Sequence, residues 1–108
     1  MQLNDYQNKI AEFAIYPEAG SRSVTELSYL SLGLGGETGE VLEKVKKYIR
    51  DGVLVRDDTA KELGDVLWYL SRLAGAIGYT LEEIAEINIH KLSSRKERNV
   101  LKGNGDNR

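Results

Sequence analysis

The chain has 108 residues, 41% hydrophobic and 30% charged, a balance that fits one soluble globular domain with a single small core and excludes wholesale disorder. It has no Cys and one His, which excludes a disulfide framework, a thiolate nucleophile and any multi-histidine metal site within one chain. Lys and Arg number 15 against 17 Asp and Glu, and a net charge so near zero gives no reason to expect a nucleic-acid polymer as partner.

The longest uncharged stretch, Leu27 to Gly36, is too short and too rich in Gly to span a bilayer, so no membrane is expected. Met1 to Asp5 lacks the basic start and apolar run of a signal peptide, and the expectation is a cytoplasmic protein. Pro occurs once and Gly 11 times. Scarce Pro fits a helical chain, but each Gly inside a helix costs roughly 1 kcal/mol relative to Ala. The glycines therefore belong in loops or serve a purpose in helices.

The spacing of Leu3, Tyr6, Ile10 and Phe13 predicts a first helix over about Leu3 to Ile15, broken by Pro17 and Gly20. Ser23-x-x-Glu26 is a capping-box pattern opening a second helix. Its apolar row begins at Leu27 and Leu30, continues through Val41 and Val45, and stops at Asp51-Gly52. After the short link Val53-Leu54-Val55, Asp57 or Asp58 is expected to cap a third helix, with Leu63, Val66, Leu67, Leu70, Leu73 and Ile77 as its row and Gly78 at its end. Thr80-x-x-Glu83 is a second capping box, opening a fourth helix with Leu81, Ile84, Ala85 and Leu92. From about Asn99 to Arg108 the chain is polar and Gly-rich and reads as a flexible tail. No stretch alternates with period two. The expected architecture is an all-α antiparallel four-helix bundle, with residues 1–108 as a single domain.

Two acidic pairs interrupt the rows, Glu37-x-x-Glu40 on the second helix and Glu62-x-x-Asp65 on the third. A spacing of three puts both members of a pair on one side of a helix, with β-carbons about 5–6 Å apart. On a helical wheel Glu37 lies about 60° from the apolar centre and Glu40 about 120°, while Glu62 lies about 70° and Asp65 about 130° to the same hand. If the helices are antiparallel and face each other through their rows, all four carboxylates enter one groove, at heights that differ by roughly 7 Å. Such acids repel one another unless they take up protons or a hard cation. Oxygen-only ligation favours Mg²⁺, with Mn²⁺ as substitute, and Mg²⁺ points to phosphate ester or anhydride chemistry. The competing reading is a set of solvated surface charges, with Glu40–Lys44 and Lys61–Asp65 as ordinary i,i+4 pairs. Gly33, Gly35, Gly36 and Gly39 crowd the first pair and Gly64 precedes Asp65, as expected where a helix or ligand approaches the backbone closely.

On the fourth helix Asn88, Lys91 and Arg95 share the arc of the apolar row. Buried cations need anionic partners, here the carboxylates or a phosphate, which Arg grips bidentately and Lys meets as a point charge. The plainer alternative is that they snorkel at the end of the bundle. His90 falls on the opposite arc as a surface residue, and the absence of Glu-x-x-His excludes a di-iron bundle. Lys44, Lys46, Lys47 and Arg50 read as a solvated face near a helix C-terminus. Trp68 points away from its helix's apolar centre, so a lone chain would leave it exposed and a subunit interface would cover it. Tyr69 lies on the carboxylate side, where it could line a pocket for a base.

Gly36-Glu37-x-x-Glu40, followed by Glu62-Leu63-Gly64-Asp65-Val66-Leu67, resembles the ExxE…ExxD signature of the MazG-like nucleotide pyrophosphohydrolases. The resemblance covers nearly the whole chain, including Asn88, Lys91, Arg95 and the Gly103-Asn104-Gly105-Asp106-Asn107-Arg108 ending. It implies an all-α enzyme that uses Mg²⁺, cleaves a nucleoside triphosphate to monophosphate and pyrophosphate, and assembles as a homodimer or dimer of dimers. Carried onto this sequence, Glu37, Glu40, Glu62 and Asp65 are the expected metal ligands. Glu37 is the candidate to orient the attacking water, and Asn88, Lys91, Arg95 and Tyr69 are the candidates to hold substrate. Some relatives carry an acidic residue immediately before the first Glu; here that position is Gly36. A reading from another class is a non-catalytic helical module that docks a protein partner through the Trp68 face.

Overall fold

Four α-helices and no strand build the chain in the computed structural model, which describes residues 1–108. Helix α1 spans Leu3–Lys9, α2 Val24–Asp51, α3 Arg56–Ala76 and α4 Leu81–Glu97. The first helix is shorter than its periodicity suggests. The chain tightens into a 3-10 turn over Ile10–Phe13 and leaves helical geometry at Ala14, which carries it into a loop that buries Tyr16.

The caps explain the other boundaries. Ser23 accepts a hydrogen bond from the Glu26 amide at 3.2 Å, and Gly52 closes α2 in the left-handed region at φ 79°, its N–H reaching the Tyr48 carbonyl at 2.8 Å. A β-carbon disfavours that conformation, which is why Asp51-Gly52 stops the helix. Thr80 and Glu83 form the full reciprocal box at α4, with bonds of 3.1 and 2.9 Å. Two expectations are corrected. Helix α3 begins at Arg56 with Val55 as N-cap and no side-chain bond; Asp57 and Asp58 lie inside its first turn, where their charge favours the helix dipole. At α2 the box is only half made, because the Glu26 side chain turns inward.

Helices α2 and α3 form a hairpin across a short link and make most of the inter-helix packing. Helix α1 ties α3 to α4. Gln7 Nε2 donates to the carbonyls of Ser71 and Tyr79 at 3.3 and 3.1 Å, while its Oε1 accepts from the Leu81 amide at 2.9 Å. Asn4 Oδ1 accepts from the Glu82 amide at 3.1 Å. These bonds satisfy amides that the start of a helix otherwise leaves without partners.

The core sits at this junction. Ile10, Tyr16, Leu30, Ala74 and Leu81 are its buried hydrophobic residues. Glu26 is buried with them, 1% exposed. It accepts from the Tyr16 hydroxyl at 2.7 Å and from the amides of Gly20 and Arg22, and the Arg72 guanidinium stands 3.8 Å away. Arg72 also donates twice to the Tyr16 hydroxyl, at 3.1 and 3.0 Å. Burial pushes the Glu26 carboxyl up, but these donors and the Arg72 charge outweigh it and hold the group below its ordinary value.

Away from the junction the apolar rows are poorly covered. Val45, Tyr48 and Ile49 at the end of α2, and Leu63 and Leu67 on α3, are exposed. The radius of gyration is 16.4 Å, whereas a compact domain of this length has about 13 Å. No helix is long and apolar enough to cross a membrane.

Candidate metal centre

Glu37 on α2 and Glu62 and Asp65 on α3 each offer a carboxylate oxygen within 4.8 Å of the other two. They meet because α2 and α3 pair through their apolar rows with the acids offset to one hand, as the wheel requires. Glu37 and Glu62 are half-buried and Asp65 is exposed. No cation pairs with any of them, and neither Glu40–Lys44 nor Lys61–Asp65 forms; Lys61 lies instead 3.9 Å from Asp58. Burial, then the charges of Asp65, Glu62 and Glu40, push the Glu37 carboxyl above its ordinary value. Glu40 contributes to that field but is exposed and lies outside the group of three. Its larger angular offset accounts for this: it projects farther from the α2–α3 seam than Glu37.

A hard dication fits this donor set. All three ligand atoms are oxygens, they stand close enough to converge on one ion, and no cation of the chain offsets their mutual repulsion.

Beside the acids lies a groove of about 470 Å³ lined by Phe13, Glu37, Asp65, Trp68 and Tyr69. Its aromatic wall is a connected set. Trp68 meets Tyr69 edge-on at 5.0 Å between ring centres and Tyr16 at 6.1 Å; Tyr16 stacks on Tyr29 at 5.0 Å. Trp68 is thus half-buried rather than fully exposed, because Tyr16 arrives from the loop before α2 to cover one side of it. Burial raises the Tyr69 hydroxyl, with smaller contributions from Tyr29, Glu37 and Asp65.

Gly33 explains how Tyr69 reaches the seam. A β-carbon at Gly33 would overlap the Tyr69 ring, so the bare backbone of α2 is the ring's seat. A β-carbon at Gly35, Gly36, Gly39 or Gly64 would meet nothing within 4 Å. Within one chain the expected close packing is therefore met at Gly33 alone; the other four leave open backbone around the carboxylates.

The basic stripe of α4 is not joined to the acids in this structure. Lys91 and Arg95 both pair with Asp106, at 3.3 and 3.4 Å, and Arg95 Nη2 also donates to the carbonyls of Asp106 and Gly105 at 2.9 and 3.3 Å. Arg95 is buried as its arc suggests, whereas Asn88 and His90 are exposed. The tail from Asn99 folds back on α4 instead of trailing free.

Sequence reasoning missed Phe13, Tyr16, Tyr29 and the partnership of Glu26 with Arg72. Phe13 reads as part of the apolar face of the first helix but ends a 3-10 turn beside the groove, and Tyr16 lies in a loop, which no periodicity assigns to a face. Glu26 carried one usable signal: it stands four residues before buried Leu30, one turn away on the same helix face.

The MazG nucleotide pyrophosphohydrolase domain matches residues 25–100, a span that takes in the three clustered acids, the aromatic wall of α3 and the basic stripe. A relative, the Gene 37 protein of Mycobacterium phage L5, is 46% identical over 114 aligned positions that cover both chains in full. No solved structure matches the chain. The acid signature, the seam that gathers it and a match running through α3 and α4 entire agree, and the chain belongs to the MazG nucleotide pyrophosphohydrolase domain family.

Proposed function

We propose that the protein hydrolyses nucleoside triphosphates, deoxy forms among them, between the α and β phosphates, using Mg²⁺. Water and the triphosphate give a monophosphate and pyrophosphate. The observation that carries this reading is the meeting of Glu37, Glu62 and Asp65 beside an aromatic groove. Glu40 completes the ligand set from the outer side of α2. Bound Mg²⁺ supplies charge neutralisation for the triphosphate and a more acidic water for attack on the α-phosphorus.

The chain's own residues divide the remaining work. Glu37, less solvated than Glu40 on the same helix, orients the attacking water through its carboxylate. Trp68, Tyr69 and Phe13 give the base a face to stack on and exclude water from one side of the groove. Lys91 and Arg95 bind the β and γ phosphates and the leaving pyrophosphate, and Asn88 hydrogen-bonds phosphate or sugar. This chemistry suits a cytoplasmic enzyme that acts on the nucleotide pool.

Residues 1–108 act as one domain, and the working unit is a homodimer or a dimer of dimers. The uncovered apolar rows of α2 and α3 and the large radius of gyration support this. Sedimentation at micromolar concentration is expected to give at least twice the chain mass, and a clean monomer would count against it.

The test of the reaction is incubation with each nucleoside triphosphate and Mg²⁺, with products resolved. Monophosphate plus pyrophosphate is expected; diphosphate plus orthophosphate would place the cleavage elsewhere, and no turnover of any triphosphate would sink the reading.

A further inference from the structure

A cavity of about 560 Å³ lies between α4 and the folded tail, lined by His90, Lys91, Arg95, Arg98 and Arg108, with Asp106 among them. Cations gathered on a partly desolvated space favour an anion there. Arg95 is 5% exposed, and its Nε is buried with no hydrogen-bond partner. The tail therefore leaves one donor of a planar guanidinium unanswered, although such a donor costs free energy when buried unpaired.

What the tail does provide is one carboxylate oxygen and the backbone carbonyls of Asp106 and Gly105, all three on Arg95 Nη2. Asp106 Oδ1 is shared between Lys91 at 3.3 Å and Arg95 at 3.4 Å, distances at the long end of the hydrogen-bond range. The Asp106 side chain is 83% exposed, so its hold is weak. Its position is nevertheless fixed. Arg108 donates to the carbonyls of Val100, Gly105 and Leu101 at 2.9, 2.7 and 2.9 Å and closes the loop on itself. Arg98 secures that loop by donating to the Arg108 carbonyl at 2.6 Å.

We propose that Asp106 is a built-in, displaceable occupant of an oxyanion pocket on α4, so that the tail competes with a pyrophosphoryl group for Lys91 and Arg95. The proposal rests on the reading above of these two cations as phosphate-binding. A phosphoryl group brings three charged oxygens where Asp106 brings one carboxylate oxygen and one neutral carbonyl. It can meet Lys91 and take Arg95 bidentately through Nη2 and the unpartnered Nε. Displacement requires the loop to swing, and Gly105, in the left-handed region at φ 84°, is a point where the backbone turns without a β-carbon in the way.

The test is calorimetric titration of metal-free inorganic pyrophosphate into the wild-type chain and Asp106→Asn. The substitution is exposed and leaves the core untouched. Pyrophosphate is expected to bind Asp106→Asn about two- to fivefold more tightly, the range of an exposed ion pair. In the Lys91→Met background the same substitution is expected to gain less. Equal or weaker binding by Asp106→Asn overturns the gate, as does absence of pyrophosphate binding by both proteins. Turnover of triphosphate by the same samples separates the two ideas. Hydrolysis without the affinity gain removes the gate and keeps the activity; the gain without hydrolysis removes the activity and keeps the pocket.

Discussion

Glu26 and Glu37 stand on the same helix about three turns apart, and their surroundings are opposite. Glu26 is saturated with donors: a hydroxyl, two amides and a nearby guanidinium. Glu37 has other acids for neighbours and no cation. The first carboxyl is held below its ordinary pKa and the second above it, although burial pushes both the same way. Burial of an acid therefore says little by itself. An acid whose acceptors are all filled organises the fold, and one left among like charges is ready for an ion.

The largest expected effect separates these roles through stability. Glu26→Ala leaves the Tyr16 hydroxyl and two amides without their acceptor and Arg72 without its counter-charge, and is expected to cost about 3–5 kcal/mol in urea unfolding, the range for breaking a buried charged pair. Glu37→Gln in the same assay is expected to be neutral or slightly stabilising, since it relieves repulsion. Similar losses at the two positions would break the comparison.

Next is turnover. Glu37→Gln and Asp65→Asn are each expected to lower turnover of triphosphate about 100-fold or more, equivalent to about 2.7 kcal/mol of barrier. Glu40→Gln, outside the group of three, is expected to lose about tenfold. Unchanged rates in Asp65→Asn would remove it from the metal site.

Gly33→Ala tests the aromatic wall. The added methyl must displace the Tyr69 ring, and overpacking of this kind costs about 1–3 kcal/mol. The nucleotide KM is expected to rise more than kcat falls, because the ring is read as a base platform. A KM unchanged from wild type would detach Tyr69 from substrate binding.

The smallest effect is in pH. A carboxyl whose folded pKa is depressed stabilises the fold above its unfolded value and loses that contribution as pH falls through the folded value. Glu26 is such a group. Wild-type unfolding free energy is expected to drop below about pH 4.5, where unfolded carboxyls begin to protonate, and the drop should be shallower in Glu26→Gln. Parallel pH profiles would contradict the assignment.

Much of this was legible in the chain because it is written locally. Ser23, Gly52 and Thr80 are caps whose chemistry acts within four residues, and they mark their helix ends where expected. Glu37, Glu62 and Asp65 were legible because a spacing of three and a common hand are fixed by helix geometry. Contacts made across the chain were not. Glu26 reads locally as a capping-box partner, but Tyr16 and Arg72 compete for it from outside the helix and win. Lys91 and Arg95 were read as meeting the four helix carboxylates or a phosphate held there; in the fold they pair instead with Asp106, which only the return of the tail supplies. The start of α3 was misplaced because Val55 caps through its backbone geometry alone, which no side chain advertises.

The most direct test of the central claim is calorimetric titration of Mn²⁺ into the wild-type chain, Glu37→Gln and Glu26→Gln at neutral pH, each first confirmed folded by circular dichroism. The account predicts saturable Mn²⁺ binding by the wild type, a loss of at least about tenfold in affinity for Glu37→Gln, and wild-type affinity for Glu26→Gln. Equal Mn²⁺ binding by wild type and Glu37→Gln, or none by the wild type even with a non-hydrolysable nucleotide present, would contradict it.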